Sequence, residues 1–118
     1  NISYGFIKKG ICLGFVICIR ENTNYQSINY KFFQKRHNKF LYIDRIAIAN
    51  KYQSSGIGSI LYNKLLSIKV KFNIPICAEV NIDPPNESSI NFHRKHGFSE
   101  ITESTLKEGY SVVYMEVS

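Results

Sequence analysis

With 118 residues, 44% of them hydrophobic, the chain is long enough for one domain with a sizeable core and too apolar for intrinsic disorder. Fifteen Lys and Arg against nine Asp and Glu give a net charge of +6 with neutral histidines. That balance favours an anionic partner, whether a phosphate-bearing cofactor, nucleic acid or an acidic surface.

Cysteine usage and targeting narrow the class further. Cys12, Cys18 and Cys77 form no C-x-x-C pair, so neither a disulfide framework nor a metal site is indicated. Reduced, mostly buried thiols fit a cytoplasmic protein. The longest apolar run, Ile11 to Ile19, contains Gly14 and is too short to cross a bilayer, so no membrane partner is expected. The chain starts at Asn1 rather than Met, which is expected of a domain incomplete at its N-terminus.

Taken in chain order, Tyr4 to Ile7 and Ile11 to Ile19 read as strands joined by the Lys8-Lys9-Gly10 hairpin signal. Arg20 to Asn29 is polar and reads as a loop. Tyr30 to Phe40 interleaves aromatics with Lys31, Lys35, Arg36 and Lys39 and is ambiguous, with one helical turn or more. Phe40 to Ala49 is rich in β-branched and aromatic residues, a buried strand.

After the polar stretch Asn50 to Ser55 comes the clearest helix. Ile57, Leu61, Leu65, Ile68 and Phe72 recur at helical spacing. Leu66 and Val70 lie on another side, which predicts cover on more than one face, and Lys64 and Lys71 must snorkel. Asn73-Ile74-Pro75 ends the helix, because proline disfavours helix in the residue before it.

Ile76 to Ile82 alternates as a strand and leads into the rigid turn Asp83-Pro84-Pro85-Asn86. Asn86 is a good helix cap. Arg94, Lys95 and His96 crowd that helix's last turn, and Gly97 is its left-handed terminator with Phe98 folding back. Strands at Glu100 to Ser104 and Ser111 to Val117 flank the turn Lys107-Glu108-Gly109. The expected order is strand, strand, strand, helix, strand, helix, strand, strand.

The stretch Gln53-Ser54-Ser55-Gly56-Ile57-Gly58-Ser59 lies between a buried strand and the long helix. The first N–H groups of a helix have no internal partner and point outward at the positive end of its dipole. Glycine at 56 and 58 would let a diphosphate approach the main chain, and small serines keep the rim open. The spacing and lysine of a P-loop are missing. A dinucleotide fingerprint would want a third small residue where Leu61 stands, although Glu79 falls at a suitable distance. An ordinary turn before a helix stays open on the loop alone.

Two motifs in order carry a resemblance. Gln53-x-x-Gly56-x-Gly58 after a buried strand resembles the acyl-CoA loop of the GNAT N-acetyltransferase superfamily. Asn86-x-x-Ser89-x-x-Phe92-His93-x-x-x-Gly97-Phe98 is similar to that family's second element. With Phe40-x-Tyr42-Ile43-Asp44-Arg45 and Glu79-Val80-Asn81-x-Asp83-Pro84-Pro85-Asn86, the pattern resembles a little-described bacterial GNAT subgroup, from about Asn24 to the C-terminus.

The resemblance implies an α/β (α+β) fold in one domain over residues 1–118, a mixed and mostly antiparallel sheet flanked by helices. An additional strand and one or two helices would precede Asn1. It implies acetyl-CoA as co-substrate, with its acetyl group moved to a primary amine by direct attack in a ternary complex. Ile46, Ala47 and Ile48 would meet the pantetheine arm, and Gln53, Ser54, Ser55, Gly56, Ile57, Gly58 and Ser59 the pyrophosphate.

Asn86 would also touch the cofactor, or serve as a plain helix cap; the two roles are compatible. Relatives place a tyrosine as proton donor to the leaving thiolate where this chain has His93, which is expected to line the cofactor and supply that proton. Glu79 matches a strand carboxylate that acts as base in some relatives. Asp44 is the rival base, although Asp44-Arg45 suggests a structural ion pair.

The acceptor amine is unidentified, and a homodimer is left open. The cluster Lys31, Lys35, Arg36, His37 and Lys39 could bind nucleic acid, but its aromatics read better as core and its cations as a solvated cap. Three rivals remain: a CoA-binding module without turnover, a basic nucleic-acid-binding domain and a nicotinamide-dependent enzyme.

Overall fold

The structure, a computed structural model, describes residues 2–53 and 55–118. In chain order it has β1 (Ile2–Lys8), β2 (Ile11–Arg20), α1 (Ile28–Arg36), β3 (Leu41–Ile48), a short 3-10 turn (Asn50–Tyr52), α2 (Ile57–Phe72), β4 (Ile76–Asp83), α3 (Glu87–Lys95), β5 (Ser99–Lys107) and β6 (Tyr110–Val117). The six strands form one sheet in the order β1-β2-β3-β4-β6-β5. Only β3 and β4 run parallel; the other pairs are antiparallel.

Strand alternation divides the core between the two faces of this sheet. Leu41 and Ile43 of β3 and Ile76, Ala78 and Val80 of β4 point to the face covered by α2 and α3. Tyr42 and Cys77 point the other way, onto Tyr30 and Phe33 of α1. Ile57, Leu61, Leu65 and Ile68 of the predicted α2 stripe are buried, joined by Tyr62, while its last member, Phe72, is exposed at the end of the helix.

The second face of α2 is covered only in part: Leu66 is half-buried against the core, whereas Val70 is 79% exposed. Lys64 reaches back over the Tyr4 ring, 5.6 Å from its centroid, as a snorkelling side chain should.

Helix α1 is the element that was ambiguous in sequence. Ser27 caps it by accepting from the Tyr30 N–H. Tyr30 and Phe33 are fully buried while Phe32 stacks on Tyr114 at 4.1 Å, so most of the aromatics are core and the lysines between them face solvent. Its C-terminal end is tied to β6: Arg36 donates twice to the Glu116 carboxylate, at 3.1 and 3.0 Å, and His37 lies 2.6 Å away. Burial raises the pKa of Glu116, but Arg36 and His37 outweigh it and hold the carboxylate below its ordinary value.

Helix α3 closes as its sequence predicts. The Gly97 N–H donates to the Arg94 carbonyl and the Phe98 N–H to that of His93, with Gly97 at φ +90° and Phe98 buried. Cys18 and Cys77 are buried and Cys12 is exposed, so most of the thiols are buried as expected. One local expectation fails. Asp44 and Arg45 make no ion pair among the described residues; successive strand side chains point apart, and Asp44 instead accepts from the Tyr25 hydroxyl at 2.5 Å.

Candidate active site

The site begins with a pairing that stops. β3 and β4 are in register only at Leu41 with Ile76 and Tyr42 with Cys77. Beyond that the β3 edge from Ile43 to Ile48 has no partner on the β4 side among the described residues. The cause lies in β3 itself. Cys18 of β2 pairs with Ile43 but Ile17 pairs with Arg45, so Asp44 is an extra residue, a β-bulge. A bulge bends its strand and increases twist. Meanwhile β4 stays in unbroken register with β6 from Ile76 to Asn81. The sheet therefore opens toward the C-terminal ends of its two parallel strands.

A cavity of about 640 Å³ occupies that opening on the α2 and α3 side. Its walls are Ile46, Ala47 and Ile48 from β3, Gln53, Gly56, Ile57, Gly58 and Ser59 from the loop and the start of α2, and Ser89, Phe92 and His93 from α3. Most of the cofactor residues expected from the sequence thus meet around one space. Ser54 lies outside the described residues. Ser55 is not in the wall, and its N–H donates to the Tyr52 carbonyl at 3.2 Å. Asn86 is also outside the wall; its side chain caps α3 by accepting from the Ser89 N–H at 3.2 Å.

The two helix starts at this cavity differ. Gly56 caps α2 at φ 92°, a left-handed conformation that suits glycine, with no side-chain cap and no acidic residue in the first turn. The N–H groups of Ile57, Gly58 and Ser59 have no partner among the described residues. A Cβ on Gly58 would stand 3.2 Å from the Phe92 ring, so only glycine fits without displacing that wall. The end of α2 is accordingly small, donor-rich and electropositive, with room for a diphosphate. By contrast α3 starts with its Asn86 cap and Glu87.

His93 is 4% exposed and both ring nitrogens are engaged. Nδ1 lies 2.7 Å from the Ser89 carbonyl, which can only accept, so Nδ1 carries the hydrogen. Nε2 then accepts from the Tyr62 hydroxyl at 2.7 Å. Burial lowers the pKa of His93 and leaves the ring neutral, although the Ser89 bond acts in the other direction.

The opposite face of the opening carries acids and tyrosines. Glu79 alternates with Ala78 and Val80, so it points toward α1, where the Tyr42 hydroxyl donates to it at 2.5 Å. Burial pushes its carboxyl up to about 7; the Tyr42 bond opposes this and the nearby Asp44 charge adds to it. No Lys, Arg or His contributes to that shift. Elsewhere, His37, Cys77 and Glu116 bring potential metal-ligand atoms within 4.8 Å of one another. Arg36 already holds both Glu116 oxygens there, and burial pushes the Cys77 thiol up, so this cluster is an ion-paired tie rather than a ready ligand set.

Sequence reasoning overlooked Tyr62 and the lining residues Tyr52, Ser88 and Lys95. Ser88 and Lys95 share a helical face with Phe92, a spacing that was available in the sequence. Tyr62 is one turn beyond Gly58 and gave no signal apart from its periodic position.

Residues 3–98 match the model of the Acetyltransferase (GNAT) family, and the chain belongs to that family. No curated protein matches the sequence. Among solved structures it is similar to the ribosomal-protein-S18-alanine N-acetyltransferase from Escherichia coli, at 18% identity and TM-score 0.70 over 98% of this chain and 67% of that one. It is also similar to Arabidopsis thaliana Naa50 in complex with the bisubstrate analogue CoA-Ac-MVNAL, at 22% identity and TM-score 0.74 over 98% and 72%. A Bacillus anthracis protein in complex with acetyl coenzyme A matches at 19% identity and TM-score 0.74, over 98% and 60%. The chain therefore spans 60% to 72% of the length of these three proteins. The fold is the one expected from the sequence, a mixed, mostly antiparallel sheet between helices.

Proposed function

We propose that the protein is an N-acetyltransferase that moves the acetyl group of acetyl-CoA to a primary amine within a ternary complex. The observation that carries this reading is the opened β3–β4 edge beside an uncapped, glycine-lined helix start, around one cavity. The pyrophosphate would sit on the N–H groups of Ile57, Gly58 and Ser59. The pantetheine arm would run along Ile46 to Ile48 as an added strand. Gln53 lines the same space and Ser55 supports the loop from behind. Asn86 holds the α3 wall in place as its cap.

The reaction needs an amine without its extra proton, because an ammonium of ordinary pKa near 10 has no free electron pair. Glu79 is the base, directly or through a water. The free amine nitrogen bonds to the thioester carbon, and a backbone N–H of the Ile46 to Ile48 edge donates to the oxyanion that forms. The attacking nitrogen, now positively charged, gives up its surplus proton to solvent, and collapse breaks the carbon–sulfur bond and releases the thiolate. The two hydrogen bonds of His93 favour a holding role in the cavity wall over the donor role expected from sequence, and the thiolate then takes its proton from solvent. Asp44, bound by Tyr25, is the second acid facing the acceptor.

The test is a panel of primary amines assayed for release of free thiol from acetyl-CoA, with binding followed by thermal shift. A ligand at 100 times its Kd stabilises the folded state by about 2.7 kcal/mol. A response to acetyl-CoA and none to NAD is expected. Binding of acetyl-CoA without thiol release from any amine would favour a non-catalytic CoA module, and a response to NAD alone would defeat the proposal.

A further inference from the structure

One hydrogen-bonded chain, buried at Tyr62 and His93, crosses from the α2 side of the cavity to its α3 wall. Tyr62 is on α2, one turn after Gly58, and is 1% exposed. Its hydroxyl meets His93 Nε2 at 2.7 Å, and His93 Nδ1 meets the Ser89 carbonyl at 2.7 Å in the first turn of α3. The Tyr62 ring also packs edge-on against Phe92, with centroids 4.8 Å apart, and Phe92 is the ring that would stand only 3.2 Å from a Cβ at Gly58. The two helices whose N-terminal turns line the cavity are thus joined behind it by polar and aromatic contacts. The Ser89 carbonyl fixes the tautomer of His93, so Nε2 can only accept while the ring is neutral, and Tyr62 is its donor.

We propose that Tyr62 is a positioning residue: through His93 it fixes the spacing of the α2 and α3 walls and thereby the width of the cofactor cavity. The inference rests on the reading of that cavity as a coenzyme A site. Tyr62 touches neither the cofactor nor the acceptor in this scheme. Replacing it by phenylalanine keeps the ring in place and removes only the donor, leaving a buried Nε2 lone pair without its partner.

The test combines ring-nitrogen NMR of His93 with calorimetric titration of CoA. In the parent protein, His93 is expected to show a protonated Nδ1 and a hydrogen-bonded, unprotonated Nε2 at pH 7. In Tyr62→Phe, the Nε2 resonance moves to the position of a free, unbonded nitrogen, and the Kd for CoA rises about two- to tenfold, the range one buried hydrogen bond is worth. A parent ring protonated at Nε2 would overturn the inference without any variant. So would a Tyr62→Phe protein with parental ring shifts or parental affinity. A parent that binds no CoA defeats the cofactor reading and the cavity-width role with it, while the ring spectrum still decides whether Tyr62 sets the state of His93.

Discussion

The two faces of the β3–β4 opening use different chemistry. On the α2 and α3 face there is no acidic side chain in the cavity wall, and the polarity comes mainly from backbone N–H groups, serines and a helix dipole. On the α1 face Glu79 and Asp44 each accept from a tyrosine hydroxyl at 2.5 Å, in a chain whose net charge is +6. One face is suited to an anion and the other to an amine that arrives as a cation. In the proposed reaction the opening between them is where the two would meet. The difference teaches that charge sign, rather than cavity size, assigns the faces.

The largest effect is expected at the acid face. Glu79→Gln keeps the hydrogen bond acceptor for Tyr42 and removes the base, so turnover should fall about 10²- to 10⁴-fold with CoA affinity little changed. In the parent, turnover should rise with pH through about 7 as the Glu79 carboxyl ionises. Steady-state kinetics across pH 5.5 to 8.5 would check both, and a flat profile in the parent would remove Glu79 from the mechanism.

Reversing the sign on the other face comes next. Ser59→Asp puts a carboxylate in the first turn of α2, where no acid now stands. Affinity for CoA should drop about 100-fold by repulsion of its phosphates. The free protein should instead gain about 0.3–1 kcal/mol, because a negative charge suits that end of the helix. Opposite signs for binding and stability in one variant are hard to obtain unless the helix start is an anion site.

Stability should also separate the faces. From its ordinary value of 4.5 to about 7, Glu79 in the folded chain holds a proton that the unfolded chain has released. Folding stability therefore falls as pH rises through that window. Glu79→Gln should be more stable than the parent by the order of 1–3 kcal/mol at pH 8 and little different at pH 4. Denaturant unfolding at the two pH values reads the difference.

The smallest effect concerns the second helix start. Asn86→Ala removes the α3 cap and should cost about 1 kcal/mol of stability. A loss of CoA affinity much larger than a few-fold would give Asn86 a direct contact with the cofactor as well.

Much of this arrangement was legible in the sequence because it rests on local rules. Glycine spacing before a periodic apolar stripe located the start of α2, and Asn86 and Gly97 bracketed α3 within their own turns. What was illegible depends on partners far apart in the chain. The bulge at Asp44 is defined only by the register of β2 against β3, so the Asp44-Arg45 pair looked like an ion pair until their side chains proved to diverge. Helix α1 was ambiguous because Tyr30 and Phe33 are buried among lysines, a weak stripe that gains meaning only against Tyr42 and Tyr114. The partnership of Tyr62 with His93 joins two helices and left no trace in either motif.

The most direct test follows the backbone amides of residues 55–59 by NMR while acetyl-CoA is added. Expected are saturable shifts at Ile57, Gly58 and Ser59, together with Ile46 to Ile48 and with little change on the α1 face. Saturable binding that leaves those three amides unmoved, or shifts confined to the lysines of α1, would contradict the coenzyme site.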